Sequence, residues 1–509
     1  MRLVRRRLAS ALLGACGLVV LLASTVPAAQ AQSGGLMPDA LNCDGPIEYA
    51  VWRRWNQGGL AFVREELIAQ RLAAGDTYAL YHFEIYFHNL LAMAQRCQRI
   101  DRLYQLAELV SSTYAKLEPA PGNRPGRAWI CRGGPECSHN IRLRNTEVML
   151  SSTQFLAFAT SLANSLSRAR PEAPGDFVEQ TARIAREHLV RWSTPAAQGA
   201  LRKQIAARPE DVKNGSSELF LTDKELWQIS IYADLAGMLA ARPGLALDQD
   251  DAGFATMKAH LDLLLGLVAA RITVQVPPGA NDKAGKSAMV ADLDAGFWRL
   301  YDDNRYAGYT GRDKPVVCKR DPARPDVFVA QTQIPAERFA PVANLGWDIS
   351  HARRLVHFFE AIERNRAEMV RVYGISPSSL PSHDSMVAFA RQLRLHVWNQ
   401  DWNRPLFTNY FSGANGWYRV NYDNGTGNCS EGYPPYGQAE SFPTGGYATW
   451  PGLHALGVRL YELTQSASVD DRDFVAAYFP SFMGRYGPSK RMIAELMFWP
   501  TLVRRGGSR

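Results

Sequence analysis

An all-α chain built from helical hairpins is what this sequence predicts, on three observations. Apolar residues recur at three- and four-residue spacing along most of its length. Strand-like alternation is confined to two short stretches, 271 to 276 and 416 to 422, which suffice for minor β ribbons only. Long irregular segments at 118 to 144, 302 to 346 and 400 to 450 exceed ordinary connections. About 478 residues after the leader exceed what one simple bundle core supports, so helix pairs either wrap into a ring or open solenoid, or split into two domains. The alternation of helices with long loops favours the ring, with 32–509 as one unit and the loops gathered at a rim.

The first 31 residues stand outside that fold. Arg2, Arg5, Arg6 and Arg7, an apolar run from Leu12 to Ala23, and Ala29-Gln30-Ala31 predict a secretory signal peptide cleaved near Ala31. The chain is thus expected in the periplasm or secreted, with no membrane span in the remainder. Without the leader's arginines the formal charge of +8 falls to about +4. That mild basicity is compatible with an anionic polysaccharide and lacks the concentrated stripe that nucleic acid requires.

Helices are predicted at 46 to 56, 59 to 73, 76 to 97, 99 to 117, 145 to 168, 174 to 192, 196 to 207, 222 to 241, 250 to 271, 288 to 301, 348 to 373, 383 to 399, 451 to 465, 470 to 484 and 488 to 503. Thr222-Asp223-Lys224-Glu225 is a capping box, and Asp348 stands at an N-cap before the apolar face of Ile349, Ala352, Leu355, Val356 and Phe359. Six cysteines follow the leader, and six allow 15 pairings. Cys131 and Cys137 flank a Gly-Gly-Pro turn and suit a local bridge, leaving Cys43 with Cys97 and Cys318 with Cys429. Zinc at Cys131, Cys137 and His139 is the alternative, with a spacing that matches no usual site.

Function is sought at 345 to 450. A helix opening, Leu345 to His351, precedes a glycine-rich loop carrying Trp402, Tyr410, Trp417, Tyr418, Tyr422, Tyr433, Tyr436, Tyr447 and Trp450. Flat rings cover the apolar faces of pyranoses, while amides and carboxylates answer their hydroxyls. Helical hairpins, export, and aromatic rim loops ending in Gly445-Gly446-Tyr447-Ala448-Thr449-Trp450-Pro451 resemble the (α/α) toroid carbohydrate-active enzymes, glycoside hydrolases and polysaccharide lyases among them. The resemblance implies polysaccharide degradation without naming a catalytic residue.

Hydrolysis needs two carboxylates, and Asp348 with Glu440 are the expected pair, roughly 5–10 Å apart across a cleft. Trp347, Trp417 and Tyr447 are the expected stacking platforms, with Tyr309, Tyr418, Trp450 and Arg353 also lining the site. Asp348 has an ordinary role as a cap and Glu440 as a loop acid. Asp292, Asp294, Asp302, Asp303, Glu147, Glu84, Asp223 and Glu225 are weaker acids for the purpose, the last explained by its capping box. A lyase or epimerase acting on uronates would instead use His351 or a tyrosine as base, Arg353 to neutralise the carboxylate, and Asn344, Tyr309 or Tyr410 in support. The same rings would also serve a non-catalytic glycan-binding or envelope-assembly protein. His82 and His88, six apart, share no helix face for a metal. Asp423 to Asn428 is oxygen-rich but lacks calcium-loop spacing, and no cofactor or nucleotide motif is present, so neither metal nor cofactor is expected.

Overall fold

The computed structural model describes residues 38–122, 124–140, 142–169, 176–213, 215–245, 252–276, 289–423 and 429–506. The expected signal peptide and the oxygen-rich turn at 424 to 428 lie outside them. The described chain is mostly helical, with strands only in two-stranded ribbons.

The first half contains α1 (Pro46–Arg54), which runs on through wide turns to Arg71, then α2 (Tyr78–Arg96), α3 (Ile100–Tyr114), β1 (Glu118–Pro119), β2 (Arg127–Ala128), α4 (Gly134–His139), α5 (Met149–Ser167), α6 (Phe177–Trp192), α7 (Pro195–Ala206), α8 (Asp223–Ala241) and α9 (Ala252–Arg271). There follow β3 (Ile272–Gln275), β4 (Val290–Leu293), β5 (Val316–Asp321), β6 (Arg324–Thr332), α10 (Ile349–Ala352), α11 (Arg354–Tyr373), α12 (His383–Gln392), α13 (Ser441–Thr444), α14 (His454–Gln465), α15 (Val469–Tyr478) and α16 (Pro488–Phe498).

Two kinds of helix are evident. α5 and α8 are buried almost all round, their small and apolar residues leaving no polar face, as for helices inside a protein. α3 and α6 bury one stripe. Packing follows this division: α2, α5, α8 and α11 lie against one another in succession, α3, α6 and α9 back them, and α16 returns onto α2. Thr222 and Glu225 form the expected capping box at α8, the Glu225 carboxylate accepting from Thr222 N at 2.8 Å. Disulfides join Cys43 to Cys97, Cys131 to Cys137 and Cys318 to Cys429. The Cys131–Cys137 bridge takes both thiols that the zinc alternative required.

Four expectations are corrected. The segment at 288 to 301 is not a helix: Val290–Leu293 pairs antiparallel with Ile272–Gln275, and Asp294 (φ 57°) and Gly296 (φ 82°) then turn the chain through the left-handed region. The stretch at 416 to 422 makes a single bridge, Tyr418 to Tyr433, instead of a ribbon. The segment at 302 to 346 is not wholly irregular, since β5 and β6 form a hairpin within it. Finally, α9 is long and apolar enough to cross a membrane, contrary to the expectation of none, although it packs against α6, α7 and α8 through Met257, Leu261, Leu264 and Val268.

Candidate functional site

The strand-like segment entering α10 is held from both sides. Leu345 O accepts from Gly296 N at 3.0 Å and Trp298 N at 3.2 Å, while Ile349 N donates to Asn409 O at 2.9 Å and Phe411 N to Trp347 O at 2.8 Å. Gly416 lets the loop descend onto Ala307, whose carbonyl oxygen would stand 1.8 Å from any added Cβ. Buried Asn409 fastens the turn, its amide donating to Gly416 O at 2.9 Å and Pro434 O at 2.8 Å. Tyr418 and Tyr433 exchange backbone hydrogen bonds of 3.0 and 2.7 Å, and Cys318–Cys429 ties the loop to β5. Residues from 293 to 433 thereby converge on the α10 N-terminus.

Asp348 caps that helix: Oδ1 accepts from Ser350 N at 2.9 Å and His351 N at 3.2 Å. Oδ2 is bonded to His351 Nδ1 and accepts from Tyr418 OH at 3.0 Å. Burial opposes the charge, yet His351 and Arg419 hold the Asp348 carboxyl well below the usual carboxylate range. An ionised carboxylate only accepts, so Nδ1 carries a proton, and in the neutral ring the lone pair is on Nε2. The His351 side chain is 20 % exposed, beside the rings of Trp298 and Trp347, each with its centroid 6.2 Å away. Burial and the charge of Asp348 keep the Tyr418 phenol well above its ordinary value.

Arg419 adds a cation beside this triad. Its backbone is left-handed, φ 53°, an uncommon conformation for a non-glycine residue. Its guanidinium pairs with Asp303 at 3.3 Å and lies 4.5 Å from the centre of the Tyr422 ring. Burial raises the Asp303 carboxyl against the pull of Arg419.

Facing these residues is a stripe on α2, of which His82, but none of the tyrosines, was singled out from the sequence. Tyr78, Tyr81, His82 and Tyr86 are half-buried on one helix face and touch in sequence, with centroids 6.2, 5.6 and 5.3 Å apart. Tyr422 is close enough to Tyr78 and Tyr81 for their charges to interact, and Tyr86 and Tyr433 line one cleft. The stripe and the loop thus meet across a groove at Tyr86 and Tyr433, and Tyr422 approaches Tyr78 and Tyr81. The signal was present in the sequence as ring residues at helical spacing.

Two arginines follow His351. Arg354 donates to Ser350 O at 2.6 Å and Tyr81 OH at 3.0 Å and pairs with Asp223 at 3.0 Å. The Arg353 guanidinium has no hydrogen-bond partner among the described residues; with Glu84, His88, Trp227 and His357 it lines a small polar cavity, and burial together with Arg354 lowers it to about 10.

The other expected residues fall into two groups. Trp347, Trp417, Tyr447 and Trp450 are 1, 3, 0 and 2 % exposed, so the role of stacking platform is corrected to that of loop core: their faces are covered by protein. Trp417 packs with Tyr306, Val316 and Val420, Tyr447 OH donates to Ile349 O at 2.7 Å, and Trp450 lies edge-on to Tyr447. Tyr309 is half-buried against Phe339 and Trp417, Tyr410 is buried with its OH on Trp417 O, and Asn344 is exposed. Glu440 lines the cleft with Tyr86 and Tyr433, not the Asp348 triad, and burial raises its carboxyl to about 7 against hydrogen bonds from Ser481. Comparison with protein-family models, curated proteins and solved structures found no match to the chain.

Proposed function

We propose that this chain is an acid–base enzyme acting on uronate-containing polysaccharides, by β-elimination or by epimerisation at C5. The observation that carries the reading is the partly exposed His351 ring, its Nδ1 fixed by Asp348 and its Nε2 without a partner among the described residues. Arg419, partly exposed beside the Asp348–His351–Tyr418 triad, takes the uronate carboxylate, which makes the C5 proton more acidic. His351 Nε2 removes that proton. In elimination the C4–O bond breaks as the C4–C5 double bond forms, and Tyr81 protonates the leaving oxygen. Tyr81 suits that step because its OH accepts from Arg354 and keeps its own hydrogen to give. Return of a proton to C5 from the other face gives the epimer.

Glycoside hydrolysis by Asp348 and Glu440 is the second reading, favoured by the raised Glu440 carboxyl, which suits a general acid. It is the weaker one, since both Asp348 oxygens already accept hydrogen bonds. The succession of α2, α5, α8 and α11, closed by α16 on α2, supports an (α/α) toroid scaffold, and the disulfides fit an exported, periplasmic or secreted protein.

The test is incubation with alginate, pectate, hyaluronan and neutral glucans, following ultraviolet absorbance of unsaturated ends, reducing ends and C5 configuration. Unsaturation or inversion by the wild type, absent in His351→Ala, is the expected result. Reducing ends without unsaturation assign hydrolysis. Tight binding with no product assigns a glycan-binding protein.

A further inference from the structure

We infer that the cleft around Glu440 is a binding subsite for a neighbouring acidic sugar of the same polymer, with Glu440 as a recognition residue and Lys490 as its anion partner. The inference rests on the uronate reading above and deepens it. The cleft measures about 300 Å³, at the lower end of the range for small-molecule sites. Its walls supply what one sugar ring needs: Tyr86 and the 44 %-exposed Tyr433 as ring surfaces, Met497 as an apolar floor, and Ser441, Ser481 and Lys490 as polar groups.

Glu440 marks it as a built site. Its Oε1 is buried and has no partner among the described residues, although a carboxylate oxygen without a donor is costly inside a protein. Ser481 supplies hydrogen bonds to the carboxyl group, and a sugar hydroxyl would complete its set once the side chain turns Oε1 into the cleft. Lys490 is exposed at the edge and answers a uronate carboxylate on the same ring.

Position relates the cleft to the reacting residues. Tyr433, one of its walls, stacks on Tyr418 with centroids 6.3 Å apart, and Tyr418 OH is 3.4 Å from His351 Nδ1. Tyr433 thus links the cleft to the His351 site through Tyr418, and the sugar next to the reacting one sits on the cleft side of Tyr433. Glu440 selects substrate here, and hydrolysis by an Asp348–Glu440 pair is not required.

The test is calorimetric binding of alginate, pectate and hyaluronan tetrasaccharides, with cellotetraose as neutral control, to His351→Ala and to the same protein carrying Glu440→Ala or Lys490→Ala. Thermal melts verify folding of each. Expected is binding of one acidic tetrasaccharide to His351→Ala, weakened about tenfold by either second change, the loss of one hydrogen bond or one ion pair to the ligand. Equal affinity in all three proteins overturns the subsite and leaves the uronate reading standing. Absence of acidic tetrasaccharide binding to His351→Ala, with no unsaturated or inverted product from the wild type, overturns both.

Discussion

His88 and His357 lie face to face, ring centroids 3.6 Å apart and planes 1° from parallel, each with Nδ1 on its own carboxylate, Glu84 and Glu360. Burial and the facing His357 lower His88 from 6.5 to about 4. The folded chain thus takes up this proton only near pH 4, whereas the unfolded chain takes it near 6.5. Between those values the unfolded state binds more protons, so stability is present above pH 6.5 and is lost on acidification toward 4. The loss attributable to His88 is on the order of 3 kcal/mol. Denaturant melts from pH 7 to 4 should show a shallower decline in His88→Gln than in the wild type; parallel curves would place the acid sensitivity elsewhere.

Asp348 combines two duties that substitution can separate. Asparagine keeps an oxygen for the α10 amides, since it caps helices as well as aspartate does. It also sets an amide group against His351 Nδ1, which drives the imidazole proton onto Nε2 and removes the base. Asp348→Asn should therefore fold with little loss of cap energy and lose roughly a thousandfold or more in kcat. Asp348→Ala should lose that activity and about 1 kcal/mol of cap stability besides. Thermal melts beside turnover on the substrate found for the wild type decide it, and an active asparagine variant would remove His351 from its role as base.

Asp292 gives the opposite pH signature. It is 6 % exposed, and burial raises its carboxyl from 3.8 to about 7. A carboxyl whose folded value is raised contributes stability below its unfolded value and loses it as pH rises through the folded one. Asp292→Asn cannot ionise, so its stability relative to the wild type should improve by a few kcal/mol, on the order of 4, between pH 4 and 8. Urea melts at the two pH values measure the change; a constant difference would mean that Asp292 titrates normally.

Local chemistry made much of the helical frame readable in advance. The Thr222–Glu225 box and the Asp348 cap act within one turn, and turn proximity favoured the Cys131–Cys137 bridge. Val290–Leu293 was misread because a short apolar run has no period that separates a buried strand from a helix; its partner β3 lies across the residues 277–288. The β5–β6 hairpin was missed because neither strand alternates: Val316-Val317-Cys318 is followed by the charged run Lys319-Arg320-Asp321, and Val327 to Ala330 are consecutive apolar residues. The site was legible in its residue types but not in its pairings. Tyr418 meets Asp348 across 70 positions, and the α2 stripe meets Tyr422 across more than three hundred. Ring content alone does not distinguish Tyr433, exposed to the groove, from Trp347, enclosed beneath it.

The same long-range closure makes one disulfide matter more than another. Cys318–Cys429 spans 111 positions and fastens the loop that carries Tyr418 and Arg419, whereas Cys131–Cys137 spans 6 within one turn. A bridge stabilises chiefly by restricting the unfolded chain, by an amount that grows with the logarithm of the closed loop. On that scale, replacing Cys318 and Cys429 by serine costs about 5 kcal/mol, against about 2 for the Cys131 and Cys137 pair. The first loss also frees Tyr418 and Arg419 from their attachment to β5, so the double serine variant should lose activity at a lower temperature than it loses helical circular dichroism. Activity and ellipticity that fall together in that variant, or a larger loss from the short bridge, would show that the 400 to 450 loop holds the groove without its covalent tie.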